Sequence, residues 1–331
     1  MKKENNTGTK KTRYAREKRG AIHFAAPFVI TSRTAPDSLD NSMLTLRYSF
    51  MTRRGMANLS AADLPGVDLP ATRAIVIEGS DIAPSHLEAI KNKREELSMN
   101  SLERVSLPGY AGAIPANCFI GCSWLKHLDA PAATSVGKNA FNGAGFSTIH
   151  LPLVTSIGER AFMNCDHLLA ARFPAVTSIT GREAFRGCDR LSVAHFPRLQ
   201  EIGEYMFWEC TSLRSAGFPA ATVIGEGAFR VTGLIIARFP SAATIRAAAF
   251  AACSSLTAVD LPSATTIGEN AFSHCYRLTS ARLPLATSVG ARAFGDCILL
   301  ADLWFGGGPV HVDATAFEGL DTSQVRLSGE D

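Results

Sequence analysis

Residues 151–173 read LPLVTSIGERAFMNCDHLLAARF, and residues 261–283 read LPSATTIGENAFSHCYRLTSARL. The two segments share Leu-Pro, Ile-Gly, Ala-Phe, Cys and Leu at the same offsets, although they lie far apart in the chain. Alignment on the Phe of Ala-Phe registers ten residues with spacings of 21 to 23 positions: Phe119, Phe141, Phe162, Phe185, Phe207, Phe229, Phe250, Phe272, Phe294 and Phe317. A nearly fixed period of this length indicates a repeat architecture.

Other residue types recur in register with this Phe column. A Pro opens each unit except the last, where Gly306 stands instead, and Ile or Val follows about five positions later. A period near 22 is too short for a pair of helices and fits a coil with one short strand, a tight turn and an irregular return leg. The sequence therefore predicts an α/β repeat solenoid, namely a right-handed leucine-rich-repeat coil of about ten 22-residue repeats with short parallel strands and a partly helical N-terminal cap.

Each column is expected to become a continuous stripe, because equivalent residues of stacked coils lie about 4.8 Å apart. The predicted core ladder consists of Phe162, Phe185, Phe207, Phe229, Phe250, Phe272 and Phe294 together with Cys165, Cys188, Cys210, Cys253, Cys275 and Cys297. A Gly column is expected to turn the chain with φ > 0 at each corner, and it comprises Gly137, Gly158, Gly203, Gly225, Gly268 and Gly290.

The pattern LP-x4-IG-x2-AF-x2-C-x2-L resembles the BspA-like leucine-rich repeat, and the resemblance covers about residues 102–331. Members of this family are typically bacterial or protist surface proteins whose solenoids bind other macromolecules. The resemblance thus implies a non-enzymatic, adhesin-like scaffold at a cell surface or secreted. Two features depart from the family pattern. A clear export signal is missing, which leaves a cytoplasmic location or effector-type export open, and Ala144, Met206 and Thr232 interrupt the Ala and Cys columns.

Composition divides the chain into four regions. The first twenty residues carry eight Lys or Arg, and later Leu87, Ile90 and Leu97 have nearly helical spacing. The predicted regions are a basic disordered tail (1–20), an N-terminal cap with a helix near 84–97 (21–101), the leucine-rich repeats (102–305), and the last repeat with a C-terminal cap (306–331). No segment reaches the roughly 18–20 consecutive apolar residues that cross a bilayer, so we do not expect an integral membrane protein.

The repeat accounts for all eight cysteines. Seven occupy the column three positions after the Phe, and Cys118 occupies the Ala column. Free Cys behaves as a small buried hydrophobe, so we expect reduced thiols in the core. Cys118, Cys122 and His127 have a loose metal-ligand spacing, but a structural zinc site needs four ligands. With no HExxH, GxSxG or phosphate-loop motif in the sequence, we predict no metal, no cofactor and no catalytic residues.

Two surfaces are candidate partner-binding sites. The outward strand position before the Leu/Phe-Pro step is rich in cations, and Arg forks there suit carboxylates or phosphates. Its candidates are Arg172, His195, Arg238, Arg282 and Trp304. The second surface is a return-leg patch of Tyr205 and Trp208, which are expected to be exposed. The alternatives are a solvated sheet face for the first and local repacking around Met206 for the second.

The sequence therefore predicts a non-enzymatic scaffold with a protein partner. We expect no specific nucleic-acid binding, although the basic tail could make weak non-specific contacts. Two other functions stay open. One is a host-directed or intracellular effector whose repeats select a target. The other is an enzyme activity in residues 21–101, where no set of nucleophile, base and orienting group is evident.

Overall fold

The structure is a computed structural model that describes residues 28–30, 43–48, 73–78, 84–96, 100–306, 308–324 and 326–328. The predicted tail at 1–20 and much of the predicted N-terminal cap, including Leu97, lie outside these residues. The described chain winds into a solenoid of short parallel strands, as the period predicts. Each coil contributes two strands joined by turns, so the solenoid has two strand-bearing sides.

The first strand of each coil forms one side of the solenoid, and we call these the first-leg strands. Neighbouring strands pair in parallel with like positions opposite each other, for example Arg172 opposite His195. The first-leg strands are β4 (Arg104–Ser106), β6 (His127–Asp129), β8 (Thr148–His150), β10 (Ala170–Arg172), β12 (Val193–His195), β14 (Ser215–Gly217), β16 (Ile236–Arg238), β18 (Ala258–Asp260), β20 (Ser280–Leu283), β22 (Asp302–Phe305) and β24 (Arg326–Ser328).

The second strand of each coil is shorter and carries the recurrent Ile or Val. Its side chain points into the core, as at Ile157 and Ile202, which are fully buried. These second-leg strands are β5 (Ala113–Ile114), β7 (Ser135–Val136), β9 (Ser156–Ile157), β11 (Ser178–Ile179), β13 (Glu201–Ile202), β15 (Val223–Ile224), β17 (Thr244–Ile245), β19 (Thr266–Ile267), β21 (Ser288–Val289) and β23 (His311–Val312).

Three strands and one helix precede the array: β1 (Phe28–Ile30), β2 (Met43–Tyr48), β3 (Ala74–Glu78) and α1 (Pro84–Glu96). Strand β3 pairs in parallel with β4, so it extends the first-leg sheet, while β2 runs parallel to β3 and β1 antiparallel to β2. Helix α1 starts at Pro84, a residue suited to the first helical position, and buries Leu87 and Ile90 in the common core. Lys91 Nζ donates to the Ile120 carbonyl at 3.1 Å, which joins α1 to the first coil.

The column Phe side chains form a stack along the array. The ring centroids of Phe162 and Phe185 are 4.9 Å apart with planes 4° from parallel, and those of Phe185 and Phe207 are 5.5 Å apart at 15°. A second Phe column from the first-leg side meets this stack, as where Phe196 meets Phe185 edge-on at 5.6 Å. A single coil could not bury such rings alone, so the core depends on its neighbours.

The Cys column forms a hydrogen-bonded ladder between coils. All eight thiols are free and buried. Cys165 Sγ donates to the Phe141 carbonyl and Cys188 Sγ to the Phe162 carbonyl, both at 3.1 Å, and the pattern recurs along the array. Burial raises the pKa of the Cys165 thiol well above its ordinary value, and the pKa of Cys122 to about 11. The Cys165 thiol therefore stays protonated and acts as a donor to the preceding coil.

The expectation that the Gly column turns the chain with φ > 0 is wrong, because none of its six members has a positive φ. These glycines instead permit two coils to approach closely. A Cβ on Gly158 would lie 2.6 Å from the Lys138 backbone nitrogen, which no side-chain movement could relieve. The left-handed residues lie two positions before and after the column Phe, as at Asn270 (φ 55°) and His274 (φ 59°).

Candidate functional site

The outward side chains of β6 to β22 form a surface that we call the strand face. The third residue of each strand lies in one column, because the strand register places like positions opposite each other. That column reads Asp129, His150, Arg172, His195, Gly217, Arg238, Asp260, Arg282 and Trp304. The structure thus brings Arg172 beside His195, and Arg238, Arg282 and Trp304 into one group around Asp260.

The C-terminal part of the strand face is largely occupied by its own contacts. Arg238 Nε lies 3.0 Å from Asp260 Oδ2, and Arg282 Nη1 lies 3.8 Å from Asp260 Oδ1. The Arg282 guanidinium also lies over the Trp304 ring, 4.5 Å from its centroid. Two of the predicted Arg forks therefore share one carboxylate of the protein itself.

The N-terminal part of the strand face has hydrogen-bond donors with fewer contacts of their own. His150 Nδ1 lies 3.3 Å from Asp129 Oδ1. Arg172 and His195 are both exposed, and in the described part of the chain neither forms an ion pair. Their donors are therefore available to an approaching group.

An aliphatic pair lies between these two parts. Ile235 and Ile236 are 47% and 56% exposed, at the start of β16. Next to them, Arg214 is held in place because its Nη1 donates to the Gly233 carbonyl. Two adjacent exposed aliphatic side chains beside the charged column are not needed to keep this surface soluble.

The return-leg patch differs from the sequence expectation. Tyr205 and Trp208 are half-buried rather than exposed, because neighbouring coils cover them. The Arg186 guanidinium lies 3.8 Å from the Trp208 ring centroid, with Arg230 on the same ring at 5.6 Å. The Tyr205 hydroxyl donates to the Glu226 carboxylate. These aromatic side chains are thus engaged in intramolecular contacts.

A buried carboxylate lies next to this patch. Glu183 is 6% exposed and accepts hydrogen bonds from Arg160 Nε at 2.6 Å and Arg186 Nη1 at 2.8 Å. Burial alone would raise the pKa of Glu183, but the hydrogen bonds and charges of the two arginines outweigh it and hold the pKa below its ordinary value. The three residues link consecutive coils, and Arg186 extends the link to Glu209.

Glu183→Gln is expected to lower the free energy of unfolding by about 1–2 kcal/mol at pH 7, less than for a fully buried pair because both arginines are partly exposed. The contribution of Glu183 is present above its unfolded pKa of about 4.3 and is lost as the pH falls through the lower folded pKa. Urea unfolding at pH 7 and at lower pH should therefore show a shrinking difference between the two proteins.

Glu209→Gln is the matched control, because its carboxyl is 45% exposed and pairs with Arg186 at 3.4 Å. We expect this change to alter stability by less than about 0.5 kcal/mol. A loss in Glu183→Gln that stays constant from pH 7 down to pH 3 would contradict the assigned role of the carboxylate.

The described residues show no group of three or more His, Cys, Asp or Glu side chains arranged to hold a metal ion. Cys118, Cys122 and His127 accordingly form no such group, and the two thiols lie buried in the core. In the same part of the chain, no helix has the length and apolar character to cross a membrane.

The family model for the BspA type leucine rich repeat region matches residues 89–214, 134–257 and 222–330, which together span most of the chain. The chain belongs to the BspA-type leucine-rich repeat family. The match extends from within α1 to the C-terminal coil. The strand face therefore consists of BspA-type repeats throughout.

Several solved structures are similar to this BspA-type repeat protein. A leucine-rich repeat protein from Bacteroides ovatus is 18% identical, with 94% of this chain and 100% of that chain covered and a TM-score of 0.39. The leucine-rich repeat protein of T. pallidum is 27% identical, with coverage of 62% and 80% and a TM-score of 0.37. An internalin from Listeria monocytogenes is 11% identical, with coverage of 88% and 86% and a TM-score of 0.39. No curated protein matches the sequence significantly.

Sequence reasoning missed that the first-leg sheet is interrupted between β8 and β10 and between β14 and β16. The signal was present in the spacing. Pro240 follows Phe229 by eleven positions, whereas Pro219 follows Phe207 by twelve. Pro152 likewise follows Phe141 by eleven positions, and the first-leg strand of each shorter coil pairs with one neighbour only, β8 with β6 and β16 with β18. The second interruption lies beside the exposed pair Ile235 and Ile236.

Proposed function

We propose that this BspA-type repeat protein is a non-enzymatic scaffold that binds a protein partner through the strand face. The exposed pair Ile235 and Ile236 carries this proposal, because it lies among exposed cations at a strand, β16, that its pairing with β18 holds in place. Apolar anchors surrounded by polar groups are typical of protein interfaces. An adhesin-like role at a cell surface is the form of this function that the family resemblance implies.

Backbone rigidity supports binding by this surface. The Thr257 backbone nitrogen donates to the Ile235 carbonyl at 2.8 Å, and β16 pairs with β18 along its length. Side chains on such strands lose little backbone freedom when a partner docks, which lowers the entropic cost of association. The half-buried Tyr205 and Trp208 are less suited to this role, since Arg186, Arg230 and Glu226 already occupy them.

Site-specific crosslinking tests the proposal. A photoreactive amino acid is placed at Arg172, Ile236 or Arg282 on the strand face, and at Ser156 or Thr266 on the second-leg side as matched controls. After irradiation in an extract of the source cells or of cells they contact, we expect the same protein to be captured from neighbouring strand-face positions and not from the controls. Equal capture from both sides would contradict binding through the strand face.

A further inference from the structure

The interruption between β14 and β16 opens the strand face at its centre. Across several intact pairs, the residue after the strand donates to the next coil, as Phe196 does to the Gly217 carbonyl at 2.9 Å and Phe239 to the Asp260 carbonyl at 3.3 Å. In the described part of the chain, no such bond joins Phe218 to Arg238. The strands β14 and β16 belong to different sheets and therefore present unpaired edges to each other.

At this interruption, Gly217, Ile235 and Ile236 form a small apolar area with little side-chain relief, which we call the spot. Gly217 is the one residue without a side chain in the outward column, and it lies on β14 directly before the interruption. On the other side stand Ile235 and Ile236, and among the strands β4 to β22 of the first-leg side Ile236 is the one large apolar side chain that is exposed, at 56%. A partner side chain that packs on Ile236 on the Gly217 side therefore meets the His195 imidazole and no side chain of Gly217 itself.

The surroundings of this spot are cationic. His195 reaches towards Gly217, since a Cβ on that glycine would lie 2.6 Å from His195 Nδ1. Arg214 is held beside Ile235 by its bond to Gly233, and Arg238 stands at the end of β16. The nearest carboxylate of the outward column is Asp260, which Arg238 and Arg282 already share. A ligand at Ile236 thus meets more positive than negative charge.

We infer that the spot around Gly217 and Ile236, with the open guanidinium of Arg172 and the open imidazole of His195 beyond it, binds an acidic segment of a protein partner that inserts an apolar side chain between carboxylates. The apolar side chain packs on Ile236, and the carboxylates face the arginines. This inference rests on the proposed function and adds the chemistry of the partner and the centre of the interface. It assigns a minor role to Arg282 and Trp304, which contact each other and Asp260.

Fluorescence anisotropy with designed peptides tests this chemistry. The probe is a labelled peptide in which Asp-Leu-Asp units alternate with Gly, and the comparison peptides carry Asn or Lys for every Asp, or Ser for every Leu. We expect the acidic Asp-Leu peptide to bind the full chain most tightly, and to bind more weakly as salt is added, because the charges involved are exposed.

Variants of the protein locate the site. Ile236→Ser is expected to weaken binding of the acidic peptide by about tenfold, the scale of an interface anchor, and Arg172→Ala by several-fold. Arg246→Ala is the matched control, because it removes an exposed arginine on the second-leg side, where Arg246 pairs with Glu201, and binding should change by less than about twofold. All three side chains are exposed, so each variant is expected to keep the wild-type unfolding midpoint.

Failure of the inference can be told apart from failure of the proposed function. Equal binding of the acidic, amide and basic peptides, or an equal loss in Arg246→Ala and Arg172→Ala, would overturn the inference. Should crosslinking from Ile236 still capture a specific protein in that case, binding through the strand face stands while the acidic partner does not. Should the strand-face positions capture nothing beyond the controls, the proposed function itself falls.

Discussion

Phe185→Ala is expected to lower the free energy of unfolding by about 3–5 kcal/mol, the range for removing a fully buried aromatic ring. The Phe185 ring is fully buried and stacks on Phe162 at 4.9 Å and on Phe207 at 5.5 Å. Its backbone also joins two coils, because the Phe185 nitrogen donates to the Met206 carbonyl. The coils on either side therefore lose a shared contact, which neither can replace alone. Urea unfolding followed by circular dichroism gives the loss.

Phe317→Ala provides the matched control at the end of the same column. Phe317 is half-buried, and in the described residues its one stacking neighbour is Phe294 at 5.8 Å. We expect a loss of about 1–2 kcal/mol for this substitution, since less apolar surface leaves the core. Equal losses of stability for the two variants would contradict this interpretation. They would mean that each Phe of the column contributes independently of its neighbours.

The period of the sequence predicts the solenoid because every coil has apolar side chains at the same positions, and these can be buried only between neighbouring coils. Ala161, Phe162, Cys165 and Leu168 recur at fixed offsets, and each is fully buried. Periodicity tells which residues share a column, and stacking at the strand spacing then fixes what each column contacts. The coil architecture follows from these two facts without knowledge of any single contact.

The contacts between one coil and the next could not be predicted from the recurring residue positions in the sequence. Gly158 and Gly225 were expected to supply positive φ, yet their missing Cβ atoms matter for the distance to the preceding coil. Coils that differ by one residue in length also alter the contacts between neighbouring coils. An extra residue before Phe185 brings Gly181 to φ 83°, and β11 and β13 lose their pairing at that point.

The sequence predicts which residues form the candidate site, but not which of them form ion pairs with each other. The sequence places Arg172, Arg238 and Arg282 in one outward column, because strand alternation fixes which side chains face outward. Which arginines form an ion pair within the protein depends on their distances from the Asp260 carboxylate, and those distances are known only from the structure. Trp208 was expected to be exposed because nothing in its own repeat shows that Arg186 of the preceding coil covers it.

Gly225→Ala is expected to destabilise the protein by about 2–3 kcal/mol, at the upper end of the range for overpacking. A Cβ on Gly225 would lie 2.6 Å from the Ile202 carbonyl oxygen and 2.9 Å from the Glu204 nitrogen. Both atoms belong to the backbone of the preceding coil, so relief requires the two coils to separate. Separation would strain the hydrogen bond from the Gly225 nitrogen to the Ile202 carbonyl, which is 2.8 Å long.

Gly308→Ala tests the same chemical change without the close approach. A Cβ there would meet no atom within 4 Å, and the φ of Gly308 is not in the left-handed region. We expect its stability to stay within about 0.5 kcal/mol of the wild type. Thermal and urea unfolding of both variants measure the difference in their free energies of unfolding. If Gly225→Ala were as stable as Gly308→Ala, the Gly column would not be set by contact between coils, and its recurrence in the repeat would need another physical cause.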